Sequence, residues 1–136
     1  MATRSTISLL SDTGVIFSVY CHWDGYLEHN GKMLHEHYTT MESVQSLVSL
    51  GSMSSLGENI IDTVYYHRDR DEAWATTQPT LYSDWKYFVE NMQAEEYNYI
   101  FTDGEWYLIE GDSPENAYMT RLSTFDEINH PHNSTS

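Results

Sequence analysis

The sequence predicts an α+β domain in which a mainly antiparallel sheet with two β-hairpins is covered by about three helices. Three observations carry this expectation. Apolar residues alternate on both sides of "SDTG" near the start of the chain. They alternate again on both sides of Asp103-Gly104, and between the two hairpins three stretches space their apolar residues as a helix does. A chain of 136 residues fits one domain with one core. The expected limits are 1–122 for that domain and 123–136 for a flexible C-terminal tail.

In chain order, Ile7 and Leu9 alternate before the first turn, and Val15, Phe17 and Val19 after it, with Asp12 and Gly14 supplying turn chemistry. In "HNGKMLHEHY", Asn30 is a candidate helix cap, and Met33, Leu34, His37 and Tyr38 share one side of a short helix. Thr39 and Glu42 stand as a capping box for a second helix with the stripe Met41, Val44, Leu47 and Val48, ended by Gly51. "SMSSLGEN" reads as a loop or a single turn, and "IIDTVYYHRD" has the β-branched and aromatic content of a strand. After a bend at Gln78-Pro79, Ser83 is placed to cap a third helix. Its apolar side is Trp85, Phe88, Val89 and Met92, and Lys86 and Glu90 lie on a more exposed side. Tyr97, Tyr99 and Phe101 then alternate up to the Asp103-Gly104 turn, and Trp106 and Leu108 alternate on the return. Beyond this hairpin the periodicity is lost, which is the basis for expecting a tail.

Composition narrows the function classes. There are 21 Asp and Glu against 6 Lys and Arg, a formal net charge of -15. Such a surface repels nucleic acid and anionic membranes and attracts basic partners. An aromatic content of 14% argues against acidic disorder. A single cysteine, Cys21, forms no internal bridge, and no apolar run approaches a membrane span, so a soluble intracellular protein is expected.

The stretch "VYCHWDGY", residues 19–26, gathers a thiol, an imidazole, an indole, a carboxylate and phenols around one glycine. Neighbouring strand residues point to opposite faces, so Cys21 and His22 do not form a nucleophile–base pair, and a distant base such as His37 or His67 would be required. As metal ligands, Cys21, His22, His29, His35, His37 and His67 have the wrong spacing, since His35 and His37 are two apart where a helical zinc pair stands four apart. His130 and His132 lie in the expected tail. No metal and no cofactor is expected. The structural reading has Asp24-Gly25 ending a strand with a turn, Trp23 burying its ring and His22 hydrogen-bonded to a carboxylate. The functional alternative is a pocket with Trp23 and Tyr26 as an aromatic wall and His22 and Asp24 as polar contacts. In "HRDRDE", Arg68 and Arg70 form either a fork for a phosphate or an ion-pair cluster with Asp69, Asp71 and Glu72.

The acidic second half is the larger anomaly. No basic residue stands between Lys86 and Arg121, while Glu90, Glu95, Glu96, Asp103, Glu105, Glu110, Asp112 and Glu115 do. Carboxylates held in a fixed array imitate the phosphates of a duplex and fit the basic groove of a nucleic-acid-binding protein. Glu90, Glu95, Glu96, Asp103, Glu105 and Glu110 are the candidate contacts, with Trp106 or Tyr97 as aromatic anchors.

The start "MATRSTIS", the stretch "VYCHWDGYLEHNGKML", "LGSMSSLGE", "HRDRDE" and the hairpin "YNYIFTDGEWYL" together resemble a family of small accessory proteins of tailed bacteriophages and prophages. The resemblance spans about residues 1–110. It implies a virus-encoded protein expressed in the cytoplasm of the infected bacterium, and it attaches no reaction to the chain. The positions that match and could line one site are Arg4, His22, Trp23, Asp24, Arg68 and Arg70. The family pattern has glycine where this chain has His67 and Asp71, which speaks against a Gly-rich ligand loop here. Joined to the charge, the resemblance leads to the expectation of a non-enzymatic inhibitor of a basic, nucleic-acid-handling host protein, such as a defence or transcription component. The alternative is a small-ligand or nucleotide binder, conceivably a hydrolase, using the CHWDG and RDR segments.

Overall fold

The computed structural model describes residues 2–129. The strands are β1 (Ser5–Leu10), β2 (Ile16–Cys21), β3 (Met53–Ser55), β4 (Val64–Tyr65), β5 (Thr80–Tyr82), β6 (Tyr97–Thr102), β7 (Glu105–Glu110) and β8 (Tyr118–Arg121). The helices are α1 (Lys32–His37), α2 (Met41–Ser49), α3 (Tyr66–Arg70), α4 (Trp74–Thr77), α5 (Trp85–Asn91) and α6 (Asp126–Asn129). A π-helical turn, Leu27–Gly31, leads into α1.

All eight strands belong to one sheet of order β4-β3-β2-β1-β6-β7-β8, with β5 on β2 as well. The expected mainly antiparallel sheet of two hairpins under about three helices is therefore corrected: the sheet is large and mixed, with several short helices. The two hairpins exist, but they join side by side through a parallel pairing of β1 with β6, Leu9 lying opposite Phe101. A second parallel contact sets Cys21 of β2 opposite Met53 of β3. Parallel strands need a long crossover, and the segments between the hairpins provide it.

The helices also divide between the faces of the sheet. Ile7, Leu9, Val19, Tyr99, Phe101 and Trp106 point to one side, where Leu34, Val44, Leu47 and Ile128 from α1, α2 and α6 pack on them. Residues of opposite parity, Ile16 and Ile100, meet Phe88 of α5 on the other.

Local signals decide where the elements begin. The capping box of α2 is made by Thr40 and Ser43, one position beyond the expected pair, and α5 is capped by Asp84 instead of Ser83. Gly51 follows α2 at φ +90. The expected strand over "IIDTVYYHRD" shrinks to two residues and continues as α3. The chain also does not leave the fold at residue 122. Leu122–Thr124 forms a 3-10 turn, α6 follows, and Leu122 and Ile128 are buried in the core. The rest of the expected tail, 130–136 with His130 and His132, lies outside the described residues.

Candidate functional site

The segment 19–26 is built as a lock between the sheet end and the turn that follows. Asp24 adopts φ +60, and its backbone carbonyl accepts the Asn30 N–H at 3.1 Å. Gly25 donates to the Thr3 carbonyl at 2.8 Å and accepts from the Tyr99 hydroxyl at 2.6 Å. A Cβ at Gly25 would stand 2.8 Å from that of Ser5, so only glycine fits so close to β1. Beneath the turn Asn30, expected as a cap, is fully buried. Its Nδ2 reaches the Trp23 carbonyl at 3.2 Å, Ser5 Oγ at 3.3 Å and Cys21 Sγ at 3.4 Å. Cys21 is itself buried, and burial pushes its thiol up to about 12. A thiol neutral at physiological pH and closed to solvent is not a nucleophile.

Of the six residues proposed for a ligand pocket, the structure brings some together. His22 Nδ1 lies 2.6 Å from the Tyr20 hydroxyl, and its ring meets Trp23 edge-on. Burial raises the Tyr20 phenol, while the bond and charge of Arg4 act to lower it. Arg68 does not join them. It holds Asp69 through two bonds of 2.9 and 2.8 Å, and donates to the carbonyls of Ile60 at 3.0 Å and Thr63 at 2.7 Å. The guanidinium lies over the Tyr65 ring and clamps the 60–63 turn. Its bond holds the Asp69 carboxyl below the usual range, helped by the Tyr65 N–H. Arg70 sits over Tyr66. The two arginines make no fork, and none of the clefts described below is lined by any of the six. Among the described residues no group of three or more His, Cys, Asp or Glu could hold a metal ion.

The acidic candidates occupy several sides of the molecule. Glu90 lies on α5 with Lys86 Nζ at 3.9 Å. Glu96 accepts the Arg4 N–H at 2.9 Å and Glu95 precedes β6, so both stand at one end of the sheet. Asp103 stands at the other end, a strand of about 20 Å away, in the β6–β7 turn at φ 54. Glu105 pairs with Arg121 at 3.5 Å. Glu110 accepts from the Thr120 hydroxyl at 2.6 Å, on the face opposite Glu105. Trp106, offered as an aromatic anchor, is buried: its Nε1 donates to the Tyr38 carbonyl at 2.8 Å and its ring meets Phe101 edge-on. It holds the core and is not available to a partner. Tyr97 is half-buried and stacked on Tyr99.

One acidic cluster is more defined than the sequence foresaw. Because β1 and β6 run parallel, the two hairpin turns emerge at the same end of the sheet. There Asp12 and Asp103 line a single cleft of about 470 Å³ with Met41, Phe101 and Thr102, and no basic residue lines it. Both carboxylates are exposed.

Most of the basic side chains are meanwhile held internally. Lys32 pairs with Glu36, Arg68 with Asp69, Lys86 with Glu90 and Arg121 with Glu105. Four of the six Lys and Arg are thus paired with the chain's own carboxylates, and the remaining acids far outnumber the remaining bases. Among the described residues no helix is long and apolar enough to cross a membrane. Comparisons with protein-family models, with curated proteins and with solved structures return no match for the chain.

Proposed function

We propose that this chain is a phage-encoded accessory protein that binds a basic, nucleic-acid-handling protein of its bacterial host and inhibits it by charge complementarity, without chemistry of its own. The observation that carries the reading is the net charge of -15 on a scaffold whose cations are largely engaged by its own acids. Such a field speeds encounter with a positive partner and disfavours neutral or acidic ones. The resemblance to tailed-phage accessory proteins supplies the setting, the cytoplasm of an infected bacterium.

The distribution of carboxylates refines the mode of binding. A duplex presents its phosphates along one continuous surface, whereas here Glu105 and Glu110 lie on opposite faces and Asp103 lies a strand's length from Glu95 and Glu96. The geometry supports a local acidic contact at the hairpin-turn end, where Asp12 and Asp103 converge, with the remaining acids steering the encounter.

Affinity capture from infected cells, at low and at high salt, tests the reading. A basic partner released by salt is expected. Capture of only neutral or acidic proteins, or retention that salt leaves unchanged, refutes it. The double variant Asp12→Asn/Asp103→Asn keeps both turns, because asparagine tolerates the left-handed backbone of Asp103, and is expected to weaken capture.

A further inference from the structure

On the α2 side of the sheet a groove of about 430 Å³ is lined by Leu9, Phe17, Val48, Trp74, Pro79 and Leu81. Gln45, Ser49, Gln78 and Ser11 complete it, and no Asp, Glu, Lys or Arg takes part. In a chain with 21 acids, an uncharged concavity of this size is unusual ground. Its origin lies in the topology. β5 adds to β2 so that Leu81 stands opposite Phe17 and shares its face, and the end of α2 at Ser49 and Trp74 of α4 border that corner without closing it. Leu81 remains 57% exposed and Trp74 39% exposed. Burying side chains of this kind is favourable, so the fold leaves part of that stabilisation unused at the mouth of the groove. Apolar patches rimmed by polar groups are where proteins dock.

Ser11 lines both this groove and the cleft of Asp12 and Asp103. An apolar well and a doubly acidic cleft thus adjoin at one residue. We propose that the two concavities form one docking site for an extended peptide segment of the basic partner. An aliphatic or aromatic side chain of that segment lies against Phe17, Trp74 and Leu81, and a lysine or arginine close to it in sequence lies between Asp12 and Asp103. The inference rests on the basic-partner reading and makes it specific, because it gives the partner's contact segment a composition. A second copy of the chain is the wrong occupant on charge, since two molecules of net charge -15 repel each other as they approach.

The test is selection of a random dodecapeptide library against the whole protein, followed by fluorescence anisotropy with the enriched synthetic peptides. Enriched sequences are expected to pair an apolar residue with nearby Lys or Arg. Leu81→Ser is expected to weaken them about tenfold with an unchanged salt dependence. Asp12→Asn/Asp103→Asn is expected to weaken them and to flatten the salt dependence. Gln45→Arg, an exposed helical substitution that leaves the core intact, places a cation at the rim and is expected to weaken basic peptides even if Leu81→Ser unfolds β5. Basic peptides that need no apolar residue and ignore Leu81→Ser and Gln45→Arg overturn the docking site while the basic-partner reading stands. Apolar peptides without basic residues, indifferent to Asp12→Asn/Asp103→Asn, overturn both. Failure to enrich any peptide overturns the site, and so does a concentration-dependent dimer, by sedimentation, that Leu81→Ser abolishes.

Discussion

Replacing Asn30 with leucine removes the amide that ties "CHWDG" to the body of the fold while keeping a side chain of similar branching and size. Every buried side-chain nitrogen and oxygen among the described residues has a partner, and the substitution takes a partner away from the groups that Asn30 bonds. The Trp23 carbonyl loses its 3.2 Å bond and keeps only a 3.7 Å contact from Cys21 Sγ. Ser5 Oγ, fully buried, loses its 3.3 Å donor. A buried group left unpaired costs about 1–3 kcal/mol, which makes the expected loss about 2–4 kcal/mol. For a domain of this size 1 kcal/mol moves the midpoint by roughly 4 °C, so the thermal transition should fall by about 10 °C. Asn30→Ala adds a cavity and should cost more.

Urea unfolding followed by tryptophan fluorescence measures the loss directly, and equal slopes for the two proteins keep the comparison valid. Labelling of Cys21 by a disulfide reagent gives an independent reading. The thiol is closed to solvent in the native state, so its rate reports how often the segment opens, and that rate should rise with the loss of stability. If Asn30→Leu stays within about 0.5 kcal/mol of the parent and Cys21 remains equally protected, the segment is not held by this amide. The structural account of "CHWDG" then fails.

Stability should decline on the alkaline side through Cys21, whose ordinary value of 9.0 rises to about 12 in the fold. Its contribution is fully present below 9.0 and is lost as the pH climbs towards 12, and Cys21→Ser should flatten that part of a urea-midpoint profile. Arg68→Lys leaves the carbonyls of Ile60 and Thr63 without their donors and should cost about 1–2 kcal/mol in urea unfolding. The Asp69 carboxyl, held low by Arg68, should return towards the ordinary range in an NMR titration. A group depressed in this way stabilises above its unfolded value and loses that effect as the pH falls, so the variant should show a shallower acid-side loss. Gly51→Ala drives a Cβ into the Thr77 carbonyl at φ +90 and should destabilise by about 1–3 kcal/mol in the same assay. Gly14→Ala, at a similar φ but with open space around it, should cost less.

The two hairpins were legible because each is a continuous alternating pattern around a turn, and both appear at their expected places. What joins them was not. The β1–β6 pairing matches Leu9 with Phe101, residues whose periodicity says only that each belongs to a strand, not which edges meet. β3, β4 and β5 are two or three residues long, too short for a period of two to register, so "SMSSLGEN" reads as a loop or a single turn and "TLY", after the bend at Gln78-Pro79, gives no strand signal. Asn30 misleads for a different reason. Its residue type favours a cap, but burial beneath residues 23–25 gives its amide a different set of partners.

The candidate site divides along the same line, and part of what was missed could have been read. Glu105 and Glu110 are five positions apart on one strand, an odd spacing that places them on opposite faces. Trp106 shares parity with Leu108, so the alternation that identified the strand also assigned the indole to the core. A row of six carboxylates with Trp106 as anchor was therefore inconsistent with the hairpin that was meant to carry it. The convergence of Asp12 with Asp103, and of Leu81 with Phe17, depends on the β1–β6 and β2–β5 pairings and leaves no mark in local sequence. Charge can attract a basic partner from any side of so acidic a molecule, but apolar contact needs a place where carboxylates are absent. The groove has no charged lining and meets the acidic cleft at Ser11, so attraction and apolar contact coincide there.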